Sequence, residues 1–221
     1  LAGAYLRAAR IDDALRVFER GYQHAHALHE SGQNQPAAQP LARFAQLCGR
    51  YRMFDEQLKF QGEVVKWNEA NRRERDSMIL VNRVSGLGDL YYYLGRFDDA
   101  ERELSKAAKR LRKLRGDRSA RLAPLLLNLA RVSRKRGELS KAESYCEKVL
   151  RIREDKISPK ALGTAYTMME MGNIYTAQGV PEMAKFSLDE AREVFNLYAD
   201  KDLDGNIKIL RALGQYYVKK D

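Results

Sequence analysis

Residues 87–107 read LGDLYYYLGRFDDAERELSKA, and this stretch decides the fold. Leu87 and Gly88 open it, Tyr91 follows one turn later, and Gly95 interrupts it. Ala100, Leu104 and Ala107 then recur at spacings of four and three, the period of one helix face. Working outward, the pattern returns every 42 residues. Gly95 is followed by Gly137 and Gly179, and each precedes an alanine by five residues: Ala100, Ala142, Ala184. A small residue lies seven positions before each glycine, at Gly88, Ala130 and Gly172, and the next step lands on Gly214. Leu87, Leu129, Met171 and Leu213 keep the same phase, as do Leu104, Cys146 and Leu188.

This spacing describes a helical hairpin. The glycine falls in the turn between helices, where a left-handed backbone suits it. The small residues sit where two helices cross and let the backbones approach. One hairpin cannot bury both of its faces, but stacked hairpins can. The expected fold is therefore all-α: a right-handed α-solenoid of stacked antiparallel helix hairpins.

These residues carry a resemblance. Residues 87–107, and MGNIYTAQGVPEMAKFSLDEA at 171–191, resemble the tetratricopeptide pattern of L-G-x-x-Y followed by G, A, an apolar residue and A. The 42-residue spacing is similar to that of kinesin light chains and of polarity scaffolds of the LGN type. LLLNLARVSRKRGELSKAESYCEKVLRIRE at 125–154 resembles kinesin light chain most, through Asn128 and its IRE ending. Upstream the pattern decays. Residues 1–21 keep Ala2, Tyr5, Ala14 and Phe18 in place, whereas 41–69 form a degenerate copy whose register is open by one or two residues. The reading is one solenoid over 1–221, with repeats near 1–30, 39–70, 81–114, 123–154 and 165–197 and a terminal helix at 207–219. That last helix is a first helix without a partner, a cap or a truncation point. Linkers are expected at 31–40, 71–78, 115–122, 155–163 and 197–206, the first being the most flexible.

The chain has 221 residues, 44% of them hydrophobic, enough for a packed core. It begins with Leu1, as a fragment would, and shows neither a signal peptide nor an apolar run of membrane-spanning length, so a cytoplasmic location is expected. Cys48 and Cys146 form no disulfide framework and no CxxC site. The three histidines, His24, His26 and His29, lie together near the N-terminus, leaving the rest of the chain without imidazole. No catalytic set, cofactor motif or metal site emerges. Asp200 to Ile207 resembles the start of a calcium loop, but Arg211 stands where the bidentate Glu belongs. His26 and His29 neighbour each other on a helix without a third ligand. Oligomeric state cannot be read.

The formal net charge is +10, yet residues 106–136 alone hold twelve Lys/Arg and one acid, Asp117. The basic character is local and asks for a local explanation. The resemblance implies that first helices line a concave face with repeat positions 2, 5, 6, 9, 12 and 13. Those positions give Asn82, Asp89, Tyr92 and Tyr93, then Leu127, Asn128, Arg131, Arg134 and Lys135. Tyr166, Met169, Glu170, Asn173 and Thr176 follow, and finally Lys208, Arg211, Gln215 and Lys219. Asn128 can bond an extended peptide backbone, Arg131, Arg134 and Lys135 can hold carboxylates, and Tyr92, Tyr93 and Tyr166 offer rigid aromatic area. The expected function is a non-enzymatic scaffold that binds an acidic peptide or helix of a partner protein. Its candidate contacts are Asn82, Tyr92, Tyr93, Leu127, Asn128, Arg131, Arg134, Lys135, Tyr166, Asn173 and Arg211. The alternatives are nucleic-acid binding through the 106–136 stripe, and a regulatory or sensor domain of a larger enzyme or transcription regulator.

Overall fold

A computed structural model describes residues 1–71, 77–154 and 161–220. The described elements are α-helices, and they fall into two compact units, Leu1–Leu90 and Tyr91–Asp221. The fold is that of an α-solenoid built from helical hairpins.

The first unit contains α1 (Ala2–Arg7), α2 (Ile11–Glu30), α3 (Asn34–Arg50), α4 (Phe54–Ala70) and most of α5 (Met78–Tyr93). Successive helices from α1 to α4 pack on one another. Their core is aromatic. Phe18 is fully buried, with the Phe44 ring centroid 5.1 Å away and that of Phe60 at 5.6 Å, both edge-on. Helix α3 starts at Asn34, so most of the expected linker 31–40 is helical. Pro36 falls in the first turn, where a missing N–H is tolerated. Burial of Ala37, Ala38 and Leu41 holds the helix through Pro40.

The second unit contains α6 (Phe97–Arg115), α7 (Leu122–Lys135), α8 (Leu139–Glu154), α9 (Leu162–Gln178), α10 (Pro181–Leu197) and α11 (Leu203–Lys220). Each packs on the next, and α9 also touches both α7 and α11. The first helices α7, α9 and α11 thus form one layer, backed by α8 and α10. Ala100, Ala142 and Ala184 are each fully buried, as their place at helix crossings requires. At Gly172 an added Cβ would stand 2.5 Å from Leu188 Cγ and 3.3 Å from the Ala184 carbonyl oxygen, so α9 and α10 touch nearly backbone to backbone. The expected linkers 71–78 and 155–163 lie largely outside the described residues. Helix α11 begins at Leu203, four residues before the expected start. Asp202 caps it: its carboxylate accepts the Gly205 N–H at 3.0 Å. The residues of the calcium-loop resemblance are therefore a helix start.

One turn recurs throughout. A residue with positive φ is followed by an N–H that donates to the carbonyl five residues back, a Schellman-type closure. In the second unit Gly95, Gly137 and Gly179 take φ of 75°, 79° and 75°, and Tyr91, Ser133 and Tyr175 accept the bonds. In the first unit Ala9 and Arg52 hold the same conformation, at φ 55° and 58°, with Tyr5 and Cys48 as acceptors. This places the degenerate copy: its turn centres on Arg52.

Candidate functional site

The layer of α7, α9 and α11 carries a pocket of about 710 Å³. Its walls are the C-terminal halves of α7, α9 and α11, and ten residues line it. Arg134 and Lys135 come from α7, Asn173, Thr176 and Ala177 from α9, and Arg211, Gly214, Gln215, Val218 and Lys219 from α11. The lining holds four cations and no acid. Lys135, Arg211 and Lys219 are exposed, and none has an acidic partner among the described residues. Two primary amides, Asn173 and Gln215, lie between the charges and can both donate and accept hydrogen bonds.

Arg134 behaves differently from the other three. Its guanidinium donates to Glu170 through Nε at 2.5 Å and through Nη2 at 3.5 Å. Glu170 is 2% exposed. Burial opposes the Arg134 charge, but the charge and hydrogen bond of Glu170 outweigh it, and the guanidinium is held above its usual pKa. Arg131 leans on the same carboxylate at 4.0 Å and donates to the Asn128 side-chain oxygen at 3.2 Å. Tyr92 sits half-buried beside this cluster, and burial raises its hydroxyl pKa. Arg134, expected to hold a partner's carboxylate, is hydrogen-bonded to a carboxylate of the chain itself, whereas Arg131 makes no hydrogen bond to it. Sequence offered one signal, since Glu170 is the only charged residue in α9 and a lone acid in an apolar helix needs a counter-charge.

The remaining expected contacts scatter. Leu127 is 5% exposed and belongs to the core, so it presents almost no contact surface. Met169 is buried too. Tyr166 donates its hydroxyl to Asp202 at 2.8 Å and packs edge-on against Phe195. Burial and that bond push its pKa up to about 12. Tyr93 is 62% exposed. Asn82 belongs to the first unit, where it lines a pocket of about 380 Å³ with Gln46, Gln57, Gln61 and Arg83. The structure therefore gathers Lys135, Asn173 and Arg211 with Arg134 and with Thr176, Gln215 and Lys219, three further positions of the repeat count.

Several cations of the basic stretch 106–136 are paired with acids. Lys106 pairs with Glu103, Arg112 with Asp117, and Arg136 with Asp98, Glu101 and Glu138. Both thiols are buried. Burial pushes Cys48 up to about 12 and Cys146 well above its ordinary range, which makes them poor nucleophiles. His29 stacks on buried Trp67 with ring centroids 4.6 Å apart, and His26 meets the same indole edge-on. No cluster of metal-ligating side chains occurs among the described residues, and none of their helices is long and apolar enough to cross a membrane.

The family model of the tetratricopeptide repeat matches residues 80–155. No curated protein matches the sequence. Among solved structures, BtubC (BKLC) from P. vanneervenii superposes with a TM-score of 0.66 at 20% identity, over 90% of this chain and 82% of that one. A kinesin light chain-like protein from Podosopora anserina, with nearly identical TPR-like repeats, gives 0.59 at 16% identity over 83% and 96%. The APC/C hetero-tetramer Cut9–Hcn1 gives 0.53 at 17% identity, over 95% of this chain and 40% of that one. At these identities the likeness is one of fold. Tetratricopeptide repeats generally mediate protein–protein interactions, and the helical-repeat fold is generally a non-enzymatic scaffold.

Proposed function

We propose that the chain is a non-enzymatic interaction module whose second unit binds an acidic peptide segment across α7, α9 and α11. One observation carries this reading: Lys135, Arg211 and Lys219 converge with the amides of Asn173 and Gln215 on a pocket of about 710 Å³ that no acid lines. An extended acidic segment fits this chemistry. Its carboxylates meet the cations, and its backbone N–H and C=O groups meet the amides. Val218, Ala177 and Gly214 supply apolar floor for small side chains. Glu170 narrows the site, because it engages Arg134 and leaves Lys135 as the pocket's unpaired α7 cation. The charges set specificity and association rate, and apolar contact sets the larger part of affinity.

Fluorescence anisotropy of a labelled Asp/Glu-rich peptide tests the reading. Binding is expected to weaken about tenfold in Lys135→Glu/Lys219→Glu, whose side chains are exposed and leave the fold intact. A single-stranded oligonucleotide serves as comparator. If it binds more tightly than the peptide and the double variant leaves it unchanged, the peptide reading fails and the 109–121 cations are the working surface.

A further inference from the structure

The pocket of about 380 Å³ in the first unit is lined by four primary amides: Gln46 from α3, Gln57 and Gln61 from α4, and Asn82 from α5. None of these side chains has a hydrogen-bond partner among the described residues. Two of them are seated on glycine. An added Cβ at Gly49 would stand 2.9 Å from the Gln57 amide nitrogen and 3.1 Å from both its carbon and its oxygen, so the amide lies flat across α3. An added Cβ at Gly86 would stand 2.9 Å from the Gln61 amide nitrogen. A glycine inside a helix is less stable than alanine there, so it is informative where another group takes its space. Neither glycine marks a helix crossing. In the 42-residue phase Gly86 matches Asn128 and Glu170, and counted back from the turn, Gly49 before Arg52 matches Tyr92 before Gly95. Where the second unit puts a large side chain on a first helix, the first unit leaves a gap and fills it with an amide from α4.

The lining says what fits. It holds no acid, and Arg83 is its one charged side chain. Ala42, Ala45 and Val64 give it a small apolar floor. Each primary amide presents two N–H donors and an acceptor oxygen. A ligand that satisfies four of them must itself donate and accept at close intervals, as Asn and Gln side chains and the peptide group do. A carboxylate only accepts, so it would answer the N–H groups and set its charge against the amide oxygens. We propose that the first unit has a binding site of its own, which takes an uncharged, Asn/Gln-rich segment of a partner protein by amide-to-amide hydrogen bonds at Gln46, Gln57, Gln61 and Asn82. The site shares no residue with the acidic-peptide pocket, and the inference stands without that reading.

The probe is a labelled, uncharged peptide rich in Gln and Asn, and the comparator is its isostere with every Gln and Asn replaced by Glu and Asp. Fluorescence anisotropy with the 221-residue chain reads both. The amide peptide is expected to bind saturably. Gly86→Ala is expected to weaken it about tenfold, because the new Cβ moves the Gln61 amide from its seat, while the melting temperature stays level or rises with helix propensity. Gln61→Met keeps the side-chain length, removes the amide and is expected to weaken binding as much. Lys135→Glu/Lys219→Glu should leave the amide peptide unaffected and weaken only the acidic isostere, and Gly86→Ala should do the reverse, so the two sites are read separately. Three results overturn the inference: no saturable binding of the amide peptide up to the solubility limit of the chain, binding that survives both Gly86→Ala and Gln61→Met, or binding lost in Lys135→Glu/Lys219→Glu, which would place the amide peptide in the second unit.

Discussion

The two units close the same turn with partly different residues: Gly32, at φ 82° with the Gln33 N–H donating to the Leu28 carbonyl, serves once in the first unit, but two other turns there use no glycine. At Gly95, Gly137 and Gly179 the left-handed conformation is free of Cβ strain, whereas at Ala9 and Arg52 it is held by residues that ordinarily avoid it. Yet the side chains around the first turn of each unit are alike. Arg10 stacks over Tyr5 at 4.8 Å and pairs with Asp13, which also holds Arg16. Arg96 stacks over Tyr91 at 4.7 Å and pairs with Asp99, which also holds Arg102. The hydrogen-bond donors of Arg16 and Arg10 hold Asp13 below its usual pKa, and Arg96, with Arg102, does the same for Asp99. The difference teaches that the five-back hydrogen bond and the packed helices define this turn. Glycine eases it and is dispensable. Where glycine is missing, the first unit has an aromatic core of Phe18, Phe44 and Phe60 behind the turn, and the second unit relies on close helix crossings at small residues.

The largest effect should come from the buried pair peculiar to the second unit. Arg134→Met leaves the Glu170 carboxylate buried with only the distant Arg131 for compensation, and should cost about 3 kcal/mol in urea unfolding. The double variant Arg134→Met/Glu170→Met should recover most of that loss. If the single variant is neutral, the pair is a surface contact and Arg134 is free for ligands after all.

Next come the glycines within helices. Gly172→Ala forces its Cβ against Leu188 and should destabilise by about 1–2 kcal/mol. Gly62→Ala in α4 of the first unit meets nothing and should stabilise by about 0.5–1 kcal/mol through helix propensity. Equal effects would break the contrast between small-residue crossings and an aromatic core. The turns sharpen it further. Gly137→Ala should cost about 1 kcal/mol, while Arg52→Gly should gain a few tenths by relieving the left-handed arginine, both by urea midpoint.

The smallest effect is one of pH. Burial, with hydrogen bonds to Glu143 and Asp202, pushes Tyr175 and Tyr166 up to about 12. The folded state therefore retains two protons that the unfolded chain releases near pH 10. This contribution is fully present below about 10 and falls away as pH rises toward 12. Tyr175→Phe should flatten that alkaline slope in the thermal midpoint; an unchanged slope would place the responsible groups elsewhere.

Much of the fold was legible because glycine and alanine leave marks in sequence. Gly95, Gly137 and Gly179 mark turns, and Ala100, Ala142 and Ala184 mark crossings, as the structure bears out. The turn at Arg52 left no such mark, because nothing in an arginine announces a left-handed backbone. The stretch 31–40 reads as a linker from its prolines and polar residues, and tertiary burial of Ala37 and Leu41 overrides that composition. The candidate site was legible only in its outline. Inward positions can be counted off a repeat, and Lys135, Asn173 and Arg211 do meet at one pocket. Which cation is free depends on a partner in another hairpin, and a single sequence does not pair Arg134 with an acid 36 residues away.

The central claim is that free cations on α7 and α11, with amides between them, hold an acidic segment. Backbone amide chemical-shift mapping during titration with the Asp/Glu-rich peptide tests it most directly. The account predicts shifts concentrated at Lys135, Asn173, Thr176, Arg211, Gln215 and Lys219, with the Glu170 amide little moved. Shifts confined to residues 109–121, or spread evenly over every exposed cation, would contradict it.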